Sequence, residues 1–220
     1  MLKIVVFDSG YGGELFADLL EEELPVVEVI RVIDWRNADK IQSNPKEARK
    51  LAKTALRPYI GKVDLIVFAN HLLTITSLKH FQRKYRDQVF LGLKLKYPEK
   101  PPRGTIFILT TKAVSKTINY HNYLFHLKSK NKTILLDSWP AKIDDGELTE
   151  TEIAATLNRS TKDNYRPKEI VLACAQFQDI KAELRNFYGH NLKIYDSFKD
   201  SLRDVCKTLK IRGINGRKIK

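Results

Sequence analysis

The sequence predicts an α/β protein made of two similar parallel-sheet domains, and three observations carry that prediction. Short runs of β-branched and aromatic residues recur eight times along the 220 residues. Each is nearly uniformly apolar, the pattern of a strand covered on both faces. Amphipathic stretches with helical spacing separate these runs from end to end. One proline-rich, charged break, KYPEKPPRG at 96–104, divides the strands into two groups of four.

Taken in order, KIVVFDS (3–9) opens the first group and leads into GELFADLLEEEL, where Leu15, Phe16, Leu19, Leu20 and Leu24 share one face. EVIRVID (28–34) follows, then the helical pattern NPKEARKLAKTALRPY, then DLIVFAN (64–70) and VFLGL (89–93). Beyond the break come TIFILTT (105–111), TILLDS (133–138), EIVLACA (169–175) and LKIYDS (192–197). Tyr120, Tyr123 and Phe125 read as helix packing between two of these strands. A terminal helix, DSLRDVCKTLKI, repeats Leu202, Val205, Cys206 and Leu209 on its apolar face, so Cys206 reads as core. Parallel sheets bind ligands beyond the carboxyl ends of their strands. That rule singles out FDSGYGG, VIDWRN, VFANHLL and LACAQF.

The formal charge is +13. Lysine and arginine are spread along the chain among acidic residues, and only the tail, KTLKIRGINGRKIK, is lopsided. A solvated basic surface is the expected reading; nucleic-acid binding is disfavoured, though the tail does not exclude it. No apolar run is long enough to cross a bilayer, and the opening run meets an acid with no cleavage pattern, so it reads as a strand. Cys174 and Cys206 are the only cysteines, in unrelated contexts, which argues for a reducing cytoplasm over a disulfide framework. His80, His121, His126 and His190 show no metal-ligand spacing.

Four strand ends hold the candidate chemistry. Asp8 precedes Ser9 and Gly10 in a tight turn, as a cap for a helix starting near Gly12 and as a ligand contact, two compatible roles. Cys174 ends a strand, and the helix expected directly after it would favour the thiolate. The alternative is a small packed hydrophobe. Lys40 and Lys112 lie near strand ends and suit carboxylates, while Asp144 and Asp145 sit in a polar turn.

Six segments in register resemble the glutamate racemase family, within the wider aspartate/glutamate racemase superfamily. VVFDSGYGG (5–13) is similar to the family's V-F-D-S-G-x-G-G, and VIDWRNADKIQSNPKEA runs along its G-D-T-x-x-x-P-Y-G-x-K-S-P-E, sharing Asp34 and Pro45. IVFANHLLT (66–74) matches the strand ending in A-C-N-T, and TTKAVSKTINY matches G-T-x-A-T-V-x-S. WPAKIDDGEL corresponds to P-L-V-E-x-G, and IVLACAQFQDI to V-L-G-C-T-H-Y-P, with LKIYDSF against I-D-S. The resemblance implies two α/β domains facing across a cleft, 1–96 plus 197–220 and an inserted 97–196. It also implies cofactor-free chemistry, with one cysteine thiolate from each domain flanking the substrate α-carbon. A small amino acid or carboxylate is the implied ligand, and a homodimer is admitted.

At the positions that carry the family chemistry, this chain differs. The first cysteine falls on Ala69, with Asn70 kept and the following threonine replaced by His71. Cys174 holds the second cysteine's place, but its threonine and histidine companions become Ala175 and Gln176. The Tyr-Gly pair falls on Lys40 and Ile41, the A-T-V threonine on Val114 and the glutamate on Asp144. Asp8 and Ser9, which in the family face the substrate amine and the first thiol, are intact. A methyl group moves no proton, so two-thiol racemisation is expected to be lost. His71, two residues beyond Ala69, is the candidate to replace the lost thiol in a Cys174/His71 proton-transfer pair. Three readings follow: a non-catalytic relative, a one-thiol enzyme using Cys174 alone, and a basic binding module.

Overall fold

The computed structural model describes residues 1–220 apart from 97, 99–103, 128, 162–165 and 212–220. Most of the proline-rich break and most of the basic tail therefore lie outside the described residues. The chain divides into two compact units, Met1–Lys94 with Ser197–Lys220, and Leu95–Asp196.

The first unit runs β1 (Leu2–Asp8), α1 (Tyr11–Glu23), β2 (Val27–Ile33), α2 (Ala38–Ser43), α3 (Pro45–Leu56), β3 (Leu65–Phe68), α4 (His71–Lys84) and β4 (Phe90–Gly92). The second runs β5 (Ile106–Thr110), α5 (Lys112–Ser115), α6 (Ile118–Leu127), β6 (Asn131–Leu135), α7 (Trp139–Asp144), α8 (Glu150–Ser160), β7 (Glu169–Leu172), α9 (Lys181–Tyr188) and β8 (Lys193–Tyr195). α10 (Phe198–Leu209) belongs to the first unit again. Among the described residues, the eight strands overlap the eight apolar runs of the sequence, β6 beginning two residues before its run.

Each unit holds a four-stranded sheet whose pairings are all parallel, and the order is the same in both: β2-β1-β3-β4 and β6-β5-β7-β8. β1 and β3 are central and fully buried from Ile4 to Phe7 and from Leu65 to Phe68, which explains their unbroken apolar sequence. The first core gathers Phe7, Phe68, Phe81 and Phe90, with Phe68 meeting Phe81 edge-on at 5.0 Å between ring centroids. Truncating a phenylalanine so enclosed costs about 3–5 kcal/mol. The exposed fan of Glu14, Asp18 and Glu21 around Arg31, by contrast, adds about 0–1 kcal/mol per pair. Burial, not surface charge, sets the stability of this +13 chain.

Helix starts follow local rules where the sequence offers them. Asn44 caps α3, its side chain accepting from the N–H groups of Lys46 and Glu47, and Pro45 begins the helix. α1 departs from the expectation: its N-cap is Gly10, and no side chain caps it. Asp8 points elsewhere. Gly13, in the first turn of α1, lies so close to that side chain that a Cβ would stand 2.5 Å from Asp8 Cβ and 2.7 Å from Ile33 Cδ1.

Two aromatic and cysteine expectations are corrected. Tyr120 and Tyr123 are buried on α6, but Phe125 is 80 % exposed, two positions beyond Tyr123 and turned to the helix's other side. Cys206 is only half-buried on α10, beside the charge of Glu23 at the flank of the apolar face. Burial, with that carboxylate adding to it, pushes the Cys206 thiol up.

The Gly13 contact gives a test with opposing signs. An exposed helical Gly→Ala change gains about 1 kcal/mol from propensity. Gly13→Ala should instead lose about 1–3 kcal/mol through overpacking, read as a lower urea midpoint; an unchanged or raised midpoint would remove the close approach from this account.

Candidate functional site

In the first unit, parallel pairing builds the site edge. Phe7 of β1 pairs with Phe68 of β3, and the Ala69 N–H donates to the Phe7 carbonyl at 2.9 Å. The residues that follow the two strands, Ser9 on one side and Ala69 and Asn70 on the other, therefore leave the sheet side by side. Asp34, beyond β2, continues the same edge, its N–H donating to the Asp8 carbonyl at 2.9 Å.

Asp8 is fully buried and organises this edge. Its Oδ1 accepts from the Ser9 N–H at 2.7 Å and from Asn70 Nδ2 at 2.9 Å. Asn70 uses its other amide atom to cap α4, Oδ1 accepting from the Leu73 N–H at 3.0 Å. One asparagine thus ties the carboxylate of β1 to the helix that follows β3. The Ser9 hydroxyl is buried and has no hydrogen-bond partner among the described residues. A polar group left that way is costly without a ligand or water to meet it. Ala69 is fully buried.

His71 is the first residue of α4 and is 3 % exposed. Its Nε2 lies 3.1 Å from the hydroxyl of Ser197, itself buried at the start of α10. The imidazole therefore joins two pieces of the first unit that are 126 residues apart in the chain. Sequence reasoning assigned no role to Ser197. It lies inside LKIYDSF, but nothing in the spacing connects it with a histidine so distant. Lys40 is exposed on the short helix α2.

In the second unit, Cys174, Ala175 and Gln176 share one turn beyond β7. The Ala173 N–H donates to the Leu109 carbonyl at 2.9 Å, which brings the ends of β5 and β7 together. The expected helix directly after Cys174 is absent. A 3-10 turn of three residues, Gln176–Gln178, comes first, and α9 starts only at Lys181. The α-helix N-terminus expected beside the thiol therefore lies farther along, at Lys181. The cause is Phe177, fully buried and edge-on to Trp139 at 6.0 Å, which draws the chain into the core before α9 can begin.

Cys174 is half-buried. Its Sγ donates to Gln176 Oε1 at 3.0 Å, a bond that only the protonated thiol makes. Gln176 is 2 % exposed, and its Nε2 has no partner among the described residues. Thr110 Oγ1, at the end of β5, is buried and unpartnered in the same sense, a polar atom that the sequence reading passed over. Ala175 is buried, its carbonyl receiving the Gln178 N–H. Asp144 is the last residue of α7, half-buried and well beyond the end of β6.

Among the described residues, no group of three His, Cys, Asp or Glu side chains could hold a metal ion, and no helix is long and apolar enough to cross a membrane. The first unit offers a carboxylate, an amide and a hydroxyl, and the second a thiol with its carboxamide.

No family model matches the chain. It is 24 % identical over 215 residues to the glutamate racemase of Clostridium perfringens strain 13, covering 92 % of this chain and 81 % of that protein. Among solved structures, Escherichia coli glutamate racemase, in complex with L-glutamate and the activator UDP-MurNAc-ala, superposes with a TM-score of 0.83 at 17 % identity. That match covers 96 % of this chain and 84 % of the other. Aspartate racemase of Picrophilus torridus follows the same fold, with a TM-score of 0.60 at 15 % identity over 99 % of this chain and 97 % of that one.

The Asp8–Asn70 tie predicts a pH-dependent defect. Asn70→Asp keeps an oxygen to cap α4 but sets a second carboxylate against Asp8. Like charges so close raise the affinity of the folded pair for a proton, so folded-state stability falls as pH rises through the carboxylate range. Urea unfolding should show the variant about 2–4 kcal/mol below wild type at neutral pH, the gap narrowing in acid. A gap that is constant with pH would mean that Asp8 and Asn70 are not paired.

Proposed function

We propose that this divergent relative of the glutamate racemases, a member of the aspartate/glutamate racemase superfamily, binds a small amino acid or carboxylate but does not invert it by the two-thiol route. The observation that carries this reading is Ala69. Inversion at an α-carbon requires a base on one face and an acid on the other. The residue beyond β3 that the family uses for one of them is here a buried methyl group.

His71 does not supply the missing group in this reading. Its Nε2 faces Ser197 Oγ, and the ring joins α4 to the start of α10. The binding half of the site, by contrast, is kept: Asp8 is held by Ser9 and Asn70, with the Ser9 hydroxyl buried beside it. Such a set suits a ligand ammonium group on the carboxylate and an acceptor on the hydroxyl.

The Cys174 thiol favours a second reading, a one-thiol enzyme. A carbanion formed when a carboxylate leaves as carbon dioxide needs a proton on one face only. The Cys174 S–H would give that proton to carbon, and the resulting thiolate would regain one from water. No partner at Ala69 is required.

Proton NMR in heavy water tests both. With glutamate or aspartate of either hand, the α-proton signal should persist in the presence of the protein; its rapid loss would overturn the first reading. Should decarboxylation of any small carboxylate be found, Cys174→Ser should abolish it, and an unchanged rate would dismiss the second.

A further inference from the structure

We propose that the Gln176 carboxamide is a two-faced partner for Cys174, accepting from the thiol through Oε1 and, after rotating half a turn, donating to the thiolate through Nε2. The inference deepens the one-thiol reading and rests on it for its use, though not for its test.

Three observations support it. The first is the bond itself, Cys174 Sγ to Gln176 Oε1 at 3.0 Å. Losing the proton would turn that contact from attraction into repulsion between sulfur anion and carbonyl oxygen, so a fixed carboxamide would oppose ionisation. The second is Nε2, buried within a residue that is 2 % exposed and without a partner among the described residues. No second hydrogen bond pins the amide, and the terminal torsion of glutamine is broad and roughly two-fold. Rotation therefore exchanges an S–H···O bond for an N–H···S⁻ bond and breaks nothing else. The third is the rigidity of the backbone beneath. The Phe177 N–H bonds to the Cys174 carbonyl at 3.3 Å and the Asp179 N–H to the Gln176 carbonyl at 3.1 Å, while Phe177 packs on Trp139. The side chain turns; its root does not.

A histidine in this place switches by gaining or losing a proton. A carboxamide switches by rotation alone and carries no charge in either state. Charge-assisted bonds are the stronger kind, so the Nε2 bond to the thiolate outweighs the Oε1 bond to the thiol. On balance, Gln176 should promote ionisation of Cys174 rather than resist it.

The sign of that effect is measurable without any substrate. Cys206 is first replaced by serine, leaving Cys174 as the only thiol, and its alkylation by iodoacetamide is followed against pH. Gln176→Met keeps the length and removes both hydrogen bonds. It should shift the midpoint upward and slow alkylation at neutral pH by roughly three- to tenfold. Gln176→Glu, which offers only repelling oxygens, should slow it further. With Gln176 intact, the side-chain amide ¹⁵N resonance should titrate with the same midpoint as the thiol. Faster alkylation in Gln176→Met would show a fixed acceptor and overturn the proposal, as would an amide signal that ignores the thiol titration. Neither result depends on turnover, so this idea and the one-thiol reading can fail separately.

Discussion

The parallel pairing of β1 with β3 is the constraint on which the candidate site of the first unit depends. Once Phe7 and Phe68 are in register, Asp8 must leave the sheet beside Ala69 and Asn70. The pairing is enforced by burial, since both strands are apolar along their length and lie between covering layers. The tie from Asn70 to Asp8, and from Asn70 to α4, then fixes the position of this fully buried carboxyl group. Gly13 completes the arrangement by leaving room for that side chain against α1.

The same topology in the second unit has a different outcome because one phenylalanine intervenes. β5 and β7 pair as β1 and β3 do, and Cys174 leaves the sheet at the corresponding edge. Phe177 then turns inward to Trp139, and a short 3-10 turn replaces the start of a helix. The thiol has a carboxamide neighbour where an α-helix start is expected.

Much of the fold was legible because a buried parallel strand leaves an unmistakable apolar run, and even the three-residue strands β4 and β8 fall on such runs. The layout of Asp8, Ser9, Asn70 and Cys174 at strand ends was legible for the same reason. What the sequence hid were relations made by distance or by packing. Ser197 meets His71 across 126 positions, which no local pattern signals. The role of Asp8 as a cap looked sound from spacing, yet Asn70 and Ser9 compete for the carboxylate and Gly10 takes the cap position. The helix expected directly after Cys174 gives way to a short 3-10 turn in which Phe177 is buried. Gln176 looked like the loss of an imidazole; only the turn shows it against the sulfur.

The proposed loss of two-thiol inversion turns on one of the departures, the side chain at position 69. The strands and their order follow a fold shared with solved glutamate racemases, while position 69 carries a buried methyl group that can neither take nor give a proton. Polarimetry of concentrated L-glutamate, D-glutamate, L-aspartate and D-aspartate with the purified protein tests that claim most directly. The account predicts that each rotation stays constant over many hours. Decay of any of them toward zero would show that inversion proceeds without a thiol beyond β3, and would contradict it.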